Sequence, residues 1–445
     1  MHISKQLNRF FTLPPSVDPQ IARHFPRNFT VNAIDGVLWL LGESFVSIST
    51  ILPVYASTLT DSALIIGLIP ALNDVGWFFP QVFMAAFVER LPRKLPVVRV
   101  LGGIERLPLL FLALAALWLA DAPQWLGVGI LLLLMIWKGF ISGIVALPWQ
   151  EMIATIIPVS HRGRFFGYSF FAGQLLGVGG AALVTQILAR LPYPHNYALT
   201  FFLGFLSFGL SWVFLVMTVE PQTAPAPRPQ PTERRRMDFA RLGGILRENA
   251  NFRYFLVSRC LAYMSGMATG FLAVYGIRRF ELPDAQAGVL TALLFMSGVI
   301  GYALWGRAGD RFGHKVVLEL SSALWLAMLL VALLAPNVAV FYVTFLLMGL
   351  SRSGSMLGDL NIAMEFGPEA ERPSYIGLAR TIPGGFMFVA PLVGGLLVEW
   401  MGYPAMFLIA LAFAAGGLGL LRLRVVEPRR AQPRAEAVPL AQDGP

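Results

Sequence analysis

Long apolar runs separated by short polar breaks dominate the chain. Twelve runs stand out, at about 31–57, 63–88, 95–119, 124–147, 163–188, 198–219, 252–277, 284–306, 315–335, 338–362, 374–399 and 403–424. An α-helix rising about 1.5 Å per residue needs roughly 20 residues to cross a hydrocarbon layer of about 30 Å, and each run meets that length. The runs are continuously apolar rather than alternating, which predicts helices and not barrel strands. The expected fold class is an all-α integral membrane protein with twelve transmembrane helices.

The polar breaks carry a repeat. Gly306-Arg307-Ala308-Gly309-Asp310-Arg311-Phe312-Gly313-His314-Lys315 holds one acid, three strong bases and three glycines between two spans, and predicts a tight polar turn at a membrane face. A reduced copy, Glu89, Arg90 and Lys94, aligns with Asp310, Arg311 and Lys315 at an offset of 221 residues. Gly67, Ala71 and Leu72 align with Gly288, Ala292 and Leu293 at the same offset. Pro158, Arg162 and Gly167 align with Pro368, Arg372 and Gly377 at an offset of 210. Both halves open on Asn-Phe (Asn28-Phe29, Asn251-Phe252) and close on Val-Glu-Pro (Val219-Glu220-Pro221, Val426-Glu427-Pro428). Matches in one order point to a parallel duplication, six helices plus six, forming two bundles with pseudo-two-fold symmetry.

The expected organisation follows. Residues 1–27 form an amino-terminal arm, 28–221 the first bundle, 222–250 a linker, 251–428 the second bundle and 429–445 a tail. Pro221 to Thr232 is rich in proline and alanine, so an extended linker is expected. From Glu233 to Asn249, Met237, Phe239, Leu242, Ile245 and Leu246 fall at helical spacing among bases, predicting an amphipathic surface helix.

Composition sharpens this picture. The chain is 56% hydrophobic and 13% charged over 445 residues, against about 25% charged in soluble domains. That excludes a soluble globule. The net charge of +9 lies in short loops, a topology signal and not a nucleic-acid face. Bases crowd one side, including Lys5, Arg9, Arg23 and Arg27, the 90–99 turn, Arg162 and Arg164, the linker and Arg422 to Arg434. The other side has Arg190, Arg278 and Arg279. The positive-inside rule then predicts both termini in the cytoplasm and a multi-pass protein of the inner membrane. One cysteine, Cys260, rules out an internal disulfide and a cysteine metal cage. The five histidines lie in arms or loops, and no phosphate-binding Gly-x-x-x-x-Gly-Lys-Ser/Thr occurs. No cofactor, metal site or enzyme activity is expected.

The loop residues Gly306, Asp310, Arg311, Gly313 and Lys315 match Gly-x-x-x-Asp-Arg-x-Gly-x-Lys, and with the duplication the chain resembles the major facilitator superfamily over roughly residues 28–428. The first-half copy departs from it at Ala85, Glu89 and Pro92. The resemblance implies a secondary transporter working by alternating access. It implies that these loops, with Glu89, Arg90 and Lys94, latch the two halves in the outward-open state. It also implies that the first, fourth, seventh and tenth helices line a central pathway.

Ionisable residues within the spans are the remaining chemistry. They are costly in hydrocarbon and pair or face a cavity. On the resemblance, Asp35, Glu43, Lys138, Arg259, Arg352 and Asp359 fall near the pathway, with Asp74 and Arg380 as further candidates and Trp39, Trp137, Tyr263 and Asn361 as neighbours. Glu105 and Arg106 are expected to pair. Asp35 and Arg259 occupy near-equivalent depths in the two repeats, and Arg380 a similar one, which suggests a gate between the halves. Glu43 and Asp35 are the first candidates for a coupling proton, since a carboxylate beside a base responds to burial and charge. Pro391, Gly394 and Gly395 are read as packing residues. The substrate is expected to be a small organic solute, either an amphipathic compound for export or an organic anion. The expected partners are that solute, a proton and the lipid bilayer, in a monomer. A non-transporting sensor on the same fold is the reading of another class.

Overall fold

The structure is a computed structural model that describes residues 13–14, 17–88, 90–221, 239–367 and 371–428. Its first half contains six spans. The first, α1, comprises Pro19–Phe45 and, after a break at 46–50, Ile51–Leu59. Then come α2 (Ala63–Val88), α3 (Leu95–Trp118), α4 (Gln124–Ile156), α5 (Val159–Arg190) and α6 (His195–Val216). A short helix, Phe239–Glu248, precedes the second half where the amphipathic pattern predicts it. There, α7 comprises Ala250–Ser265, a tight turn at Gly266–Ala268 and Leu272–Arg279. It is followed by α8 (Gln286–Phe312), α9 (His314–Leu334) and α10 (Val338–Ala363). The run Arg372–Arg424 breaks at Gly402, whose φ of 81° suits glycine, and so divides into α11 (372–401) and α12 (403–424). The twelve predicted spans are thus present.

Three boundaries differ from expectation. The arm does not last to residue 27, because α1 begins at Pro19, where Asp18 caps Gln20 at 2.7 Å. Glu151 lies inside α4, which runs to Ile156. The charged stretch 306–315 is mostly helix, and the turn narrows to Gly313, with φ 93°. Polar residues there lengthen α8 beyond the apolar run instead of breaking it. Residues 1–12, 15–16, 222–238, 368–370 (with Pro368 of the repeat) and 429–445, with Glu89, lie outside the described residues.

The repeated dipeptides have a structural reason. In the first half the Asn28 amide donates to the Val219 carbonyl at 2.8 Å and accepts from the Val219 amide at 2.9 Å. In the second, Asn251 does the same with Val426, at 2.9 and 2.7 Å. The adjoining glutamates cap third helices. Glu220 accepts from the backbone amides of Lys94 and Leu95 at 2.9 and 2.7 Å, and Glu427 accepts from that of Lys315 at 3.2 Å. A carboxylate is favoured at a helix amino end, where free N–H groups converge. The phenylalanines follow suit, Phe29 packing on Phe165 and Phe252 on Tyr375 with centroids 5.6 and 4.7 Å apart. First, third, fifth and sixth helices of each half are thereby joined at the basic face.

The core is distributed unequally. One buried apolar cluster runs through both halves away from that face, containing Tyr55, Tyr197 and Leu134 with Phe271, Tyr275 and Phe407. At the basic face each half has its own cluster, around Phe25, Phe29 and Phe165 in one and Phe252, Phe255 and Phe366 in the other. The halves therefore meet at the opposite face and part toward the basic one.

Candidate functional site

Two seams hold the halves together. In α2–α11, Gly67 lies against the Pro391 carbonyl and Phe271, while Gly395 lies against Leu64 and Ala63. The expected packing role of Pro391, Gly394 and Gly395 is met at this inter-half seam, where a side chain on Gly395 would come within 2.7 Å of the Leu64 Cα. In α5–α8, Gly177 lies against Phe295, and the Phe170 ring stacks on Tyr302 at 5.5 Å.

Polar bonds close the opposite face. Thr50 and Thr291 share a hydrogen bond of 2.6 Å, and the Tyr197 hydroxyl donates to Asp284 at 2.9 Å. Arg278 bonds Asp61 at 3.0 Å. Glu399 of α11 accepts from the Ser62 hydroxyl at 2.5 Å and the Leu64 amide at 3.1 Å. At the basic face, by contrast, Asp310 and Arg311 are exposed, Arg311 lying over Phe312 at 5.2 Å. Lys315 pairs with Glu319 of its own helix at 2.8 Å. The latch residues that are described bridge to nothing in the other half among the described residues.

Between the halves lies a cavity of about 720 Å³. Glu43, Asp74, Arg259, Arg352 and Asp359 line it, with Tyr263 beside them. Glu43 is 3.6 Å from Lys138 of α4. Arg259 donates to Asp359 at 2.6 Å, and the Tyr263 hydroxyl reaches the same carboxylate oxygen at 3.1 Å. The Arg259 guanidinium lies over the Tyr263 ring at 5.1 Å. Arg352 donates to Ser49 across the seam at 3.0 Å, and Asp74 accepts from Asn73 at 3.4 Å.

Other expectations are redirected. Asp35 does not face the cavity: it is buried inside the first bundle, where it accepts from Ser211 at 2.5 Å. Arg259 pairs with Asp359 in its own half, and Arg380 is exposed outside the cavity lining, so the three do not form an inter-half gate. Helix α4 supplies none of the lining residues; Lys138 contributes only through Glu43. Trp39 and Trp137 pack on Phe208 and Phe111, and Asn361 bonds the Leu357 carbonyl of its own helix. Glu105 and Arg106 pair at 3.0 Å as expected, and Ser142 also donates to Glu105.

Sequence reasoning missed Gln174 of α5 and Trp325 of α9, which line the cavity, and Glu399. Gln174 interrupts an apolar run and offered a signal; Trp325 and Glu399 offered none.

Twelve spans in two clasped bundles around a central cavity define a multi-pass membrane protein. Residues 255–442 match the model of the Major Facilitator Superfamily. That match lies within the second half, and there the chain is similar to the superfamily. A multi-drug resistance efflux pump PmrA homolog of Lactococcus lactis subsp. lactis (strain IL1403) is 27% identical over 150 residues, which cover 34% of each chain. The match therefore spans about a third of that relative's length. A mutant form of the nucleoside transporter NupG superposes with a TM-score of 0.69 at 13% identity, covering 88% of this chain and 98% of that one. The D-xylose-proton symporter superposes with a TM-score of 0.67 at 13% identity, covering 91% and 99%.

Proposed function

We propose that the protein is a secondary transporter that carries a small organic solute through the central cavity by alternating access. The observation that supports this is the uneven core. A shared cluster ties the halves at the opposite face, while separate clusters leave them unjoined at the basic face. Such an arrangement suits two rigid bodies that rock about a central site. Internal stiffness comes from the Asn-Val and glutamate-cap ties within each half. On this reading the described form is open to the basic face, which the distribution of bases assigns to the cytoplasm. Asp310 and Arg311, with Glu89, Arg90 and Lys94, then engage when that face closes.

Proton coupling is proposed at Glu43. It lines the cavity, and Lys138 lies 3.6 Å away, so its charge state alters an ion pair beside the solute. Asp74, on the same wall of the cavity, is the second carboxylate for this role.

Spin-label distances test the reading without knowledge of the solute. In a Cys260→Ala background, one pair at Val159→Cys and Arg307→Cys reports the basic face; another at Asp121→Cys and Glu281→Cys reports the opposite face. Alternating access requires two populations at each face, one lengthening as the other shortens. A single fixed distance at both faces in liposomes overturns it.

A further inference from the structure

We infer that the second-half wall of the cavity recognises a net-uncharged solute bearing a neighbouring hydrogen-bond donor and acceptor, with Arg259 and Asp359 as the recognising pair. This rests on the cavity being the solute pathway.

The pair is joined on one side only. Arg259 Nη2 bonds Asp359 Oδ2 at 2.6 Å, and the Tyr263 hydroxyl takes that same oxygen. Arg259 Nε and Asp359 Oδ1, each two covalent bonds from an atom of the bonded pair, have no partner among the described residues. Both residues line the cavity, and Arg259 is only 3% exposed. A buried donor or acceptor without a partner is costly, so such atoms mark where something else bonds. Two more unpartnered atoms belong to lining residues, the acceptor Gln174 Oε1 and the donor Trp325 Nε1.

One free donor and one free acceptor within a neutral ion pair select by charge. An anion drawn to Arg259 meets the Asp359 carboxylate, and a cation drawn to Asp359 meets the guanidinium. A carboxamide, lactam or vicinal diol satisfies both atoms without adding charge. The rest of the cavity does not tip this balance: Glu43 is offset by Lys138, and Asp74 and Arg352 line it with opposite charges. Trp77, Phe78, Phe295, Tyr302 and Trp325 supply apolar and aromatic wall for the remainder of the solute. The solute is therefore amphipathic, an apolar body with a polar, uncharged edge. A site built to hydrogen-bond such an edge strongly rejects analogues that leave its groups unpaired.

Matched probes test this: benzamide, benzoate and benzylamine, read by saturation-transfer NMR on the full-length protein in detergent. The expected result is transfer to benzamide at least about threefold stronger than to either charged probe. Asp359→Asn leaves Arg259 unbalanced and moves the preference to benzoate. Arg259→Gln moves it to benzylamine, and Arg259→Lys keeps benzamide first. A native preference for a charged probe, binding of none of the three, or a preference that neither charge-removing substitution moves overturns the assignment. Failure of the transporter reading looks different, because the label distances at the two faces then stay fixed whatever the probes do.

Discussion

Glu399 of the second half accepts a hydrogen bond of 3.1 Å from the backbone amide of Leu64 in the first. The Ser62 hydroxyl reaches the same oxygen at 2.5 Å. A carboxylate thus caps the amino end of a helix that belongs to the other half, and on the proposed mechanism the bond breaks when the opposite face opens. Glu399→Gln removes the charge and keeps the shape. The expected outcome is a shift of the Asp121/Glu281 label pair toward longer distances, by a few-fold in population. An unchanged distribution would show that this cap does not hold the face shut.

The charged turn makes the complementary prediction at the basic face. The complete motif copy lies in the second half, with Asp310 at its centre, and the first-half copy is reduced. Asp310→Asn is expected to slow transport more than Glu89→Gln. It should also lower the population in which the Val159/Arg307 label pair is close. The reverse order of the two variants counts against the latch.

Glu43 is expected to couple a proton. Glu43→Gln should abolish accumulation driven by a pH gradient in liposomes while leaving solute counterflow intact. Undiminished uphill transport in that variant would remove Glu43 from the coupling step.

Arg106 is buried, with Glu105 its one ion-pair partner among the described residues; its other bonds go to the Phe208 and Gly102 carbonyls. Removing one member of a buried pair leaves an uncompensated charge, at a cost of about 3–5 kcal/mol. Glu105→Gln should therefore lower the thermal midpoint clearly. Adding Arg106→Met should recover part of the loss, which a thermal-shift comparison of the single and double variants reads directly. No recovery would mean that the pair acts through Ser142 and packing instead.

The paired asparagines predict equivalence between the halves. Asn28→Ala and Asn251→Ala each remove two hydrogen bonds to backbone, with an expected cost of about 1–3 kcal/mol apiece. Thermal denaturation should show similar losses for the two. A loss confined to one half would mean that the repeat is not energetically symmetric.

What the sequence disclosed, and what it withheld, divides along a physical line. Span number, duplication and depth are one-dimensional properties, so Asn28, Asn251, Glu220 and Glu427 were visible as repeated strings. Their bonding was not, since each asparagine meets a partner more than 170 residues away. Rotation about a helix axis was the main loss. Asp35 and Arg259 sit at matching depth, yet Asp35 turns into its own bundle and Arg259 toward the cavity. A helix that is apolar all round carries no polar stripe to declare its orientation. The resemblance put α4 in the lining and no polar stripe was there to correct it; Gln174 and Trp325 were overlooked for the same lack. Glu43, Asp74, Arg352 and Asp359 line the cavity because each lies on a helix face that it reaches.

The glutamate that caps α3 has a consequence for how the chain is made. Leu95 waits for Glu220, 125 residues downstream, before its amide is satisfied. During synthesis the rim of the first bundle therefore stays unfastened until all six of its spans have emerged. It fastens only once Glu220 has itself left the ribosome. At about 5–20 residues per second, the linker then gives the first bundle a few seconds as a finished unit before the second bundle's spans arrive beside it.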